Sequence, residues 1–198
     1  ELRQGLAILG AADDCRPSLA ACTTGGAVPP ARIEQDPTAL HLRAILAGEY
    51  RPVPLFALAF DLRGQLSDAP LPSFEEFSGG NYGLGRGYDP ASVLGDAGFG
   101  AGLELRYGSL QPRSADEVRV QPFVFSEMVR TWQRDPSLRA GNPDQLWSAG
   151  GGVRFLRGNA LQGDLTVAVP LERSDGAART GDVRLLFSLT GRLMAWRG

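Results

Sequence analysis

The side chain with the clearest capacity for chemistry lies in NYGLGRGYDP, residues 81 to 90. Its only cation is Arg86, which stands among the glycines Gly83, Gly85 and Gly87. A guanidinium in an interior needs an acceptor, and a carboxylate gives a charge-assisted pair that is bidentate at best. The three glycines can supply the positive-φ turns that such a loop needs to fold inward. A solvated loop arginine is the alternative that these residues leave open.

Other arrangements that could carry chemistry are sparse. His41 is the only histidine, so neither a histidine-based metal site nor a Ser-His-Asp triad is expected. Cys15 and Cys22 are too few for a disulfide scaffold or a metal cluster, and either a bridge or two free thiols would fit. The patterns GLGRG and GFGAG resemble a dinucleotide loop only superficially, because such a loop needs a helix after it and no helical period follows either pattern, so no cofactor is expected.

Charge and hydropathy exclude further classes. The 198 residues carry a formal net charge of −2 with no basic cluster, so nucleic acid is not an expected partner. With 43% apolar residues the chain is not generally disordered. No run reaches 18 apolar residues, which argues against a transmembrane helix, and no signal segment follows Glu1.

The elements that must position Arg86 are predicted to be strands. Apolar and polar residues alternate along the chain, and 26 glycines and 14 prolines interrupt any helical period. In FALAFDLRGQ, for example, Phe56, Leu58 and Phe60 share one face, whereas Asp61 and Arg63 share the other. Eight strands are predicted, at about residues 1–10, 38–50, 56–65, 98–108, 117–132, 146–157, 161–171 and 182–190.

The connections between these strands alternate in length. The long ones are residues 11–37, 68–97, 133–145 and 172–181, and the short ones are RPVP, SLQPRSAD and RGN. Short turns on one side and long loops on the other are typical of an outer-membrane β-barrel, whose strands also need about 9 to 11 residues. Trp132, Trp147, Trp196, Tyr50 and Tyr107 fall near strand ends, where either an aromatic girdle or ordinary packing would explain them.

The stretch from Phe74 to Tyr107 resembles the motif region of the hemolysin secretion/activation (ShlB/FhaC/HecB) transporters, which share a superfamily with the barrel-assembly factors. The family pattern is a phenylalanine, a glycine pair, an Arg-Gly-Tyr core and Gly-Asp-x-Gly. The matching residues are Phe77, Gly79, Gly80, Arg86, Gly87, Tyr88, Gly95, Asp96 and Gly98. Gly85 replaces the usual valine before the arginine.

A second family motif, an aromatic, any residue and an acid, resembles Phe125, Ser126 and Glu127, with glutamate in place of the more frequent aspartate. The resemblance implies that Arg86, on a lumen-directed loop of residues 68–97, pairs with Glu127 of the wall. The parity of the strand agrees, because Arg119, Gln121 and Glu127 share one face. The chain would be an all-β, antiparallel transmembrane β-barrel fragment, namely strands nine to sixteen of a sixteen-stranded barrel.

The resemblance also implies a function and partners. The chain would belong to a non-enzymatic pore of two-partner-secretion type in the bacterial outer membrane, which contacts lipid and exports an unfolded exoprotein. The N-terminal barrel half and the periplasmic POTRA modules would lie outside residues 1–198. One alternative is an assembly or insertion factor of the same superfamily, and another is a soluble or surface β-sandwich antigen or adhesin.

Overall fold

The computed structural model describes residues 1–6, 8, 31–81, 83–112, 114, 116–135, 143–158, 160–173 and 181–191. Cys15, Cys22 and Trp196 therefore lie outside the described residues, and nothing in the structure bears on the predictions made for them. In the described ranges, no helix is long and apolar enough to cross a membrane. The strands are β1 (Leu2–Gln4), β2 (Leu40–Val53), β3 (Phe56–Ser67), β4 (Phe77–Gly79), β5 (Val93–Gly95), β6 (Ala97–Tyr107), β7 (Val118–Trp132), β8 (Asp144–Arg157), β9 (Leu161–Pro170) and β10 (Arg184–Gly191).

Eight of the strands form one antiparallel sheet in the order β1-β2-β3-β6-β7-β8-β9-β10. Every pairing joins strands that are neighbours in the chain, apart from the insertion of β4 and β5 between β3 and β6. The predicted all-β antiparallel fold is confirmed. β1 and β10 form the two edges of the sheet.

The sheet has an apolar face and a polar face. On β7, Val118, Val120 and Val124 are exposed on the apolar face, whereas Gln121 and Glu127 are buried on the polar face. The same alternation holds on β3, β6 and β9, as the sequence period predicts. A wall of this kind separates an apolar from a polar environment.

The connections alternate in length as predicted, and because the strands are antiparallel the long ones meet at a single end of the sheet, here called the long-connection end. The predicted loop of residues 68–97 differs in two details. Ala97 already belongs to β6, and the segment contains a two-stranded ribbon, in which Phe77 pairs with Gly95 and Gly79 with Val93. We call residues 68–96 the inserted loop.

Four of the predicted girdle residues lie in two pairs at opposite ends of the sheet. Tyr50 and Tyr107 lie next to short turns and are exposed on the apolar face. Trp132 and Trp147 lie at the long-connection end, and the Trp147 indole Nε1 donates to Ser126 Oγ at 3.0 Å. This arrangement at both ends of the apolar face favours the girdle interpretation for these four residues.

Candidate functional site

The inserted loop folds across the polar face of β6 where that face consists of three glycines, Gly98, Gly100 and Gly102. A Cβ at Gly98 would lie 2.2 Å from Phe77 Cδ1, and one at Gly100 would lie 2.5 Å from Leu84 Cδ1. Only a residue without a side chain permits so close an approach. The loop thereby buries a small apolar cluster against the wall, made of Phe77, Leu84, Tyr88 and Val93 with Val129 of β7 and Leu146 of β8.

The turn that carries Arg86 is held by its own backbone. Gly80 N donates to Leu84 O at 2.8 Å, and Tyr88 N donates to Gly85 O at 3.0 Å. Gly85 has a φ of +95°, in the left-handed region that favours glycine. Of the three glycines near Arg86 that could supply such a turn, Gly85 is the one that does so in the described residues. At Gly87 the constraint is space, since a Cβ would lie 2.8 Å from Pro170 N of β9.

Arg86 and Glu127 are in direct contact. Arg86 Nε donates to Glu127 Oε1 at 2.7 Å, so the two side chains form the predicted ion pair. The other carboxylate oxygen, Oε2, accepts from the backbone amides of Gly85 at 2.9 Å and Arg86 at 3.0 Å. The side chains of Arg86 and Glu127 are only 13% and 3% exposed, so the pair is largely withdrawn from solvent. Charge-assisted bonds of this kind are about twice as strong as neutral ones.

Glu104 of β6 is a second acceptor that the sequence reasoning missed. Arg86 Nη1 lies 3.1 Å from Glu104 Oε2, and the same carboxylate accepts from Arg106 Nε at 2.7 Å and from Arg154 Nη1 at 2.5 Å. Arg154 Nε also donates to Asp164 at 3.0 Å. The strand period places Glu104 on the polar face, but it does not select this acid from the others there.

Phe125 forms a platform for the guanidinium. Arg86 Cζ lies 3.5 Å from the centre of the Phe125 ring, and Arg154 Cζ lies 4.1 Å from that of Phe123. Both rings lie over glycines of the neighbouring strand, because Gly150 and Gly152 leave room for them. Gly150 and Gly152 of this strand are therefore part of the site. The aromatic residue of the second motif contributes a cation–π contact.

Tyr88 binds the turn to the backbone of β8 and of the segment after β9. It is fully buried, and its hydroxyl lies 2.7 Å from Glu172 O and 2.8 Å from Trp147 O. The same hydroxyl accepts from the Glu172 amide at 3.0 Å. Asp89, next in the chain, lies 2.7 Å from Arg184 of β10. The turn thus contacts the wall from β6 to β10.

The remaining motif residues lie away from Arg86. Gly79 ends β4, Gly80 follows it with a φ of +120°, and Gly95 ends β5, so these glycines shape the ribbon. Asp96 directly precedes β6 and is fully buried, where it accepts from the backbone amides of Leu71 at 2.7 Å and Arg134 at 2.6 Å. The sequence reasoning had assigned no partner to Asp96.

In the described residues, a two-faced antiparallel sheet carries a long loop that is bound to its polar face by buried ion pairs, and this arrangement is typical of a β-barrel wall. The chain belongs to the family described as haemolysin secretion/activation protein ShlB/FhaC/HecB, whose sequence profile matches residues 1–155.

Among solved structures the chain is similar to CdiB from Escherichia coli, with a TM-score of 0.62 and 17% sequence identity. This match covers 78% of the present chain and 28% of the CdiB chain, and at this identity it shows the fold alone. The chain thus corresponds to less than a third of the length of CdiB. No curated protein matches significantly.

Proposed function

We propose that this chain forms part of the wall of an outer-membrane pore of two-partner-secretion type, through which an unfolded exoprotein is exported. The chain would supply eight strands of a larger barrel, and the inserted loop would lie in the lumen. Membership of a secretion/activation family supports the secretion role. The proposed mechanism involves no covalent chemistry, because transport depends on the position of the loop.

The observation that carries this proposal is the contact of Arg86 with Glu127. All hydrogen bonds to the Glu127 carboxylate in the described part of the chain come from two consecutive loop residues, Gly85 and Arg86. A movement of this one turn would release the carboxylate completely. The bond can therefore act as an anchor whose state controls how far the loop fills the lumen.

The space beside the anchor suits a passing polypeptide. An open cavity of about 560 Å³ adjoins Arg86, and acidic and basic side chains line it together. The charged lining residues on the wall are Glu49, Asp61, Glu104, Arg106, Glu127 and Arg154. A polar wall with both charge signs does not favour adsorption of apolar segments. We infer that an extended chain would pass along this face once the loop has moved.

The proposed location rests on the apolar face. Large side chains such as Leu46, Leu58, Leu103 and Val124 are exposed there, and lipid is the partner that would cover them. We expect the protein to fractionate with outer membranes and to show heat-modifiable mobility in gels. Recovery in the soluble fraction would contradict this location.

Charge reversal tests the anchor directly. We expect Glu127→Arg to lower exoprotein secretion about tenfold or more, because breaking a buried ion pair costs roughly 3–5 kcal/mol. Adding Arg86→Glu should restore only part of the secretion, since the amides of Gly85 and Arg86 would still face a cation. Arg51→Gln is the matched control, because its ion pair with Glu49 is more exposed and contributes little.

Secretion is measured as exoprotein in the medium, with barrel amounts equalised by immunoblotting of outer membranes. Wild-type secretion by a correctly inserted Glu127→Arg variant would contradict the anchor. An exoprotein that leaves the cell equally well without this protein would contradict the secretion role itself.

A further inference from the structure

A second buried cluster lies at the long-connection end, and its centre is Asp96. This carboxylate is fully buried and accepts four hydrogen bonds, two from backbone amides and two from the guanidinium of Arg32. The amides belong to Leu71, at the start of the inserted loop, and Arg134, just after β7. Asp96 itself ends the loop. One carboxylate therefore joins both ends of the inserted loop to the β7–β8 connection.

Arg32 completes the cluster from a further connection, the segment that precedes β2. Its Nη1 lies 2.9 Å from Asp96 Oδ1 and 3.0 Å from Glu76 Oε1, and its Nη2 lies 3.1 Å from Gln133 Oε1. Asp135 lies 3.6 Å from the same Nη2. The side chain of Arg32 is 12% exposed, so the guanidinium is largely enclosed by acceptors.

The charges in this cluster make Arg32 difficult to replace. Its guanidinium faces the carboxylates of Asp96, Glu76 and Asp135, which are all buried. Burial lowers the pKa of Arg32, but the hydrogen bond and charge of Asp96 and the charge of Glu76 outweigh it and raise the pKa overall. Without the guanidinium, several buried carboxylates would lose their main compensating cation, which is strongly destabilising.

We propose that Arg32 is a positioning residue that latches both ends of the inserted loop through Asp96. Among the described residues this latch shares no hydrogen-bonding partner with the Arg86 anchor, and it holds the loop whether or not the pore secretes an exoprotein. Its consequence for transport rests on the proposed function. If the loop must move during export, the Arg32 latch limits that movement to the turn around Arg86, while the two ends stay fixed.

The sequence contains a reporter for loop movement. Arg86 is the only arginine or lysine between residues 68 and 96, so trypsin has one site in the inserted loop. Proteolysis of a folded protein requires local opening, and cleavage after Arg86 therefore measures how readily the loop leaves the wall. The assay uses the protein as its gene encodes it, in isolated outer membranes, with the cleaved peptides identified by mass spectrometry.

The test variant is Arg32→Gln, and we expect cleavage after Arg86 to be at least about tenfold faster than in the wild type. Arg32→Lys keeps the charge without the planar fork, and we expect an intermediate rate. Arg134→Gln is the matched control. Its side chain is exposed at the same end of the sheet, and the substitution keeps the backbone amide that donates to Asp96. We expect a wild-type rate for this control.

Heat-modifiable mobility shows separately whether each variant keeps a folded barrel. Unchanged cleavage in a folded Arg32→Gln variant would overturn the latch. If Arg32→Gln does not fold, Arg32→Lys decides, and a wild-type rate for that variant would overturn the latch as well. If cleavage rises but secretion is unchanged in both Arg32→Gln and Glu127→Arg, the latch stands and the secretion role fails.

Discussion

The inserted loop is held by two buried carboxylates that bind it in different ways. Glu127 and Asp96 each accept two backbone amides and an arginine guanidinium. The donors to Glu127 are the consecutive residues Gly85 and Arg86, whereas the donors to Asp96 come from three separate connections. One movement of a single turn releases Glu127. Release of Asp96 requires three segments to move together.

This difference suggests a division of roles between the two ends of the loop. An element that must open repeatedly is expected to have a low local stability, and one that must stay fixed a high one. The Arg86 turn, with its local set of donors, is suited to open. The Arg32 latch, which ties the loop to neighbouring connections, is suited to keep the loop attached while the turn moves.

The largest expected effect is the loss of both attachments. We expect Arg32→Gln and Arg86→Gln to lower the free energy of unfolding by about 3–5 kcal/mol each, as for other broken buried pairs. The double variant should lose roughly 6–10 kcal/mol, because the two arginines share no partner in the part of the chain that the structure describes, and such losses add. Denaturant titration in detergent, followed by tryptophan fluorescence, measures all three values.

This experiment tests whether the losses in free energy of unfolding caused by the two substitutions are additive. If the double variant has the same free energy of unfolding as the less stable of the two single variants, the two attachments open as one unit. The control is Arg51→Gln, combined with each single variant. Its exposed pair with Glu49 should contribute less than about 1 kcal/mol in either background.

Hydrogen exchange should separate the two attachments residue by residue. We expect Glu127→Ala to reduce amide protection at Gly85 and Arg86 about a hundredfold, with no change at Leu71 and Arg134, because only the former amides donate to Glu127. Asp96→Ala should reduce protection about a hundredfold at Leu71 and Arg134 and by a smaller factor, about tenfold, at Gly85 and Arg86, because the latch also limits how readily the whole loop leaves the wall. Mass spectrometry of exchanged protein distinguishes the two sets, and a uniform loss of protection in both variants would contradict the division of roles.

The two attachments also differ in how far the sequence could predict them. Arg86 and Glu127 both belong to motifs, so a family resemblance together with strand parity was enough to place them in contact. The alternation of apolar and polar residues likewise predicted all eight strands of the sheet, because a wall between two environments imposes that alternation on every strand.

Neither a family motif nor a strand period indicated the Arg32 latch in the sequence. Arg32 precedes β2 in a segment without a period, and its contact with Asp96 spans 64 residues of sequence. The β4–β5 ribbon was also missed, since each strand has three residues, too few to show an alternation. Glu104 was on the correct face, but only the packing of Arg106 and Arg154 around it makes it the shared acceptor.

A smaller effect is expected from the aromatic platform, which in the described ranges belongs to the Arg86 attachment and not to the Arg32 latch. Arg86 Cζ lies 3.5 Å from the centre of the Phe125 ring, and such contacts contribute about 0.5–2 kcal/mol. A double-mutant cycle with Phe125→Leu and Arg86→Met should give a coupling energy in this range. The same cycle with Phe99→Leu, on the apolar face, should give no coupling. Equal coupling in both cycles would exclude a specific role for Phe125.

The smallest effect should come from Glu76 of the Arg32 latch, and it has a defined pH dependence. Burial raises the pKa of Glu76, and the charge of Arg32 and the hydrogen bond from Gln133 reverse this only in part. The charged carboxylate is therefore less favourable in the folded than in the unfolded chain. The contribution of the Glu76 carboxyl group to the free energy of unfolding is therefore complete below the ordinary carboxyl pKa. It is lost as the pH rises through the raised pKa of the folded protein.

Glu76→Gln removes this charge and keeps an oxygen that can accept from Arg32, so we expect a small stabilisation, about 1 kcal/mol or less, at pH 7.5. The advantage over the wild type should disappear near pH 4, where both side chains are neutral. Thermal unfolding in detergent, compared between the two proteins across this range, measures it. Glu34→Gln is the control for the loss of one carboxylate in this region, since Glu34 lies in the same segment as Arg32 and is not among its hydrogen-bonding partners in the described residues. A destabilised Glu76→Gln at neutral pH would show that Arg32 needs the full charge of Glu76, and the latch would then depend on three carboxylates rather than chiefly on Asp96.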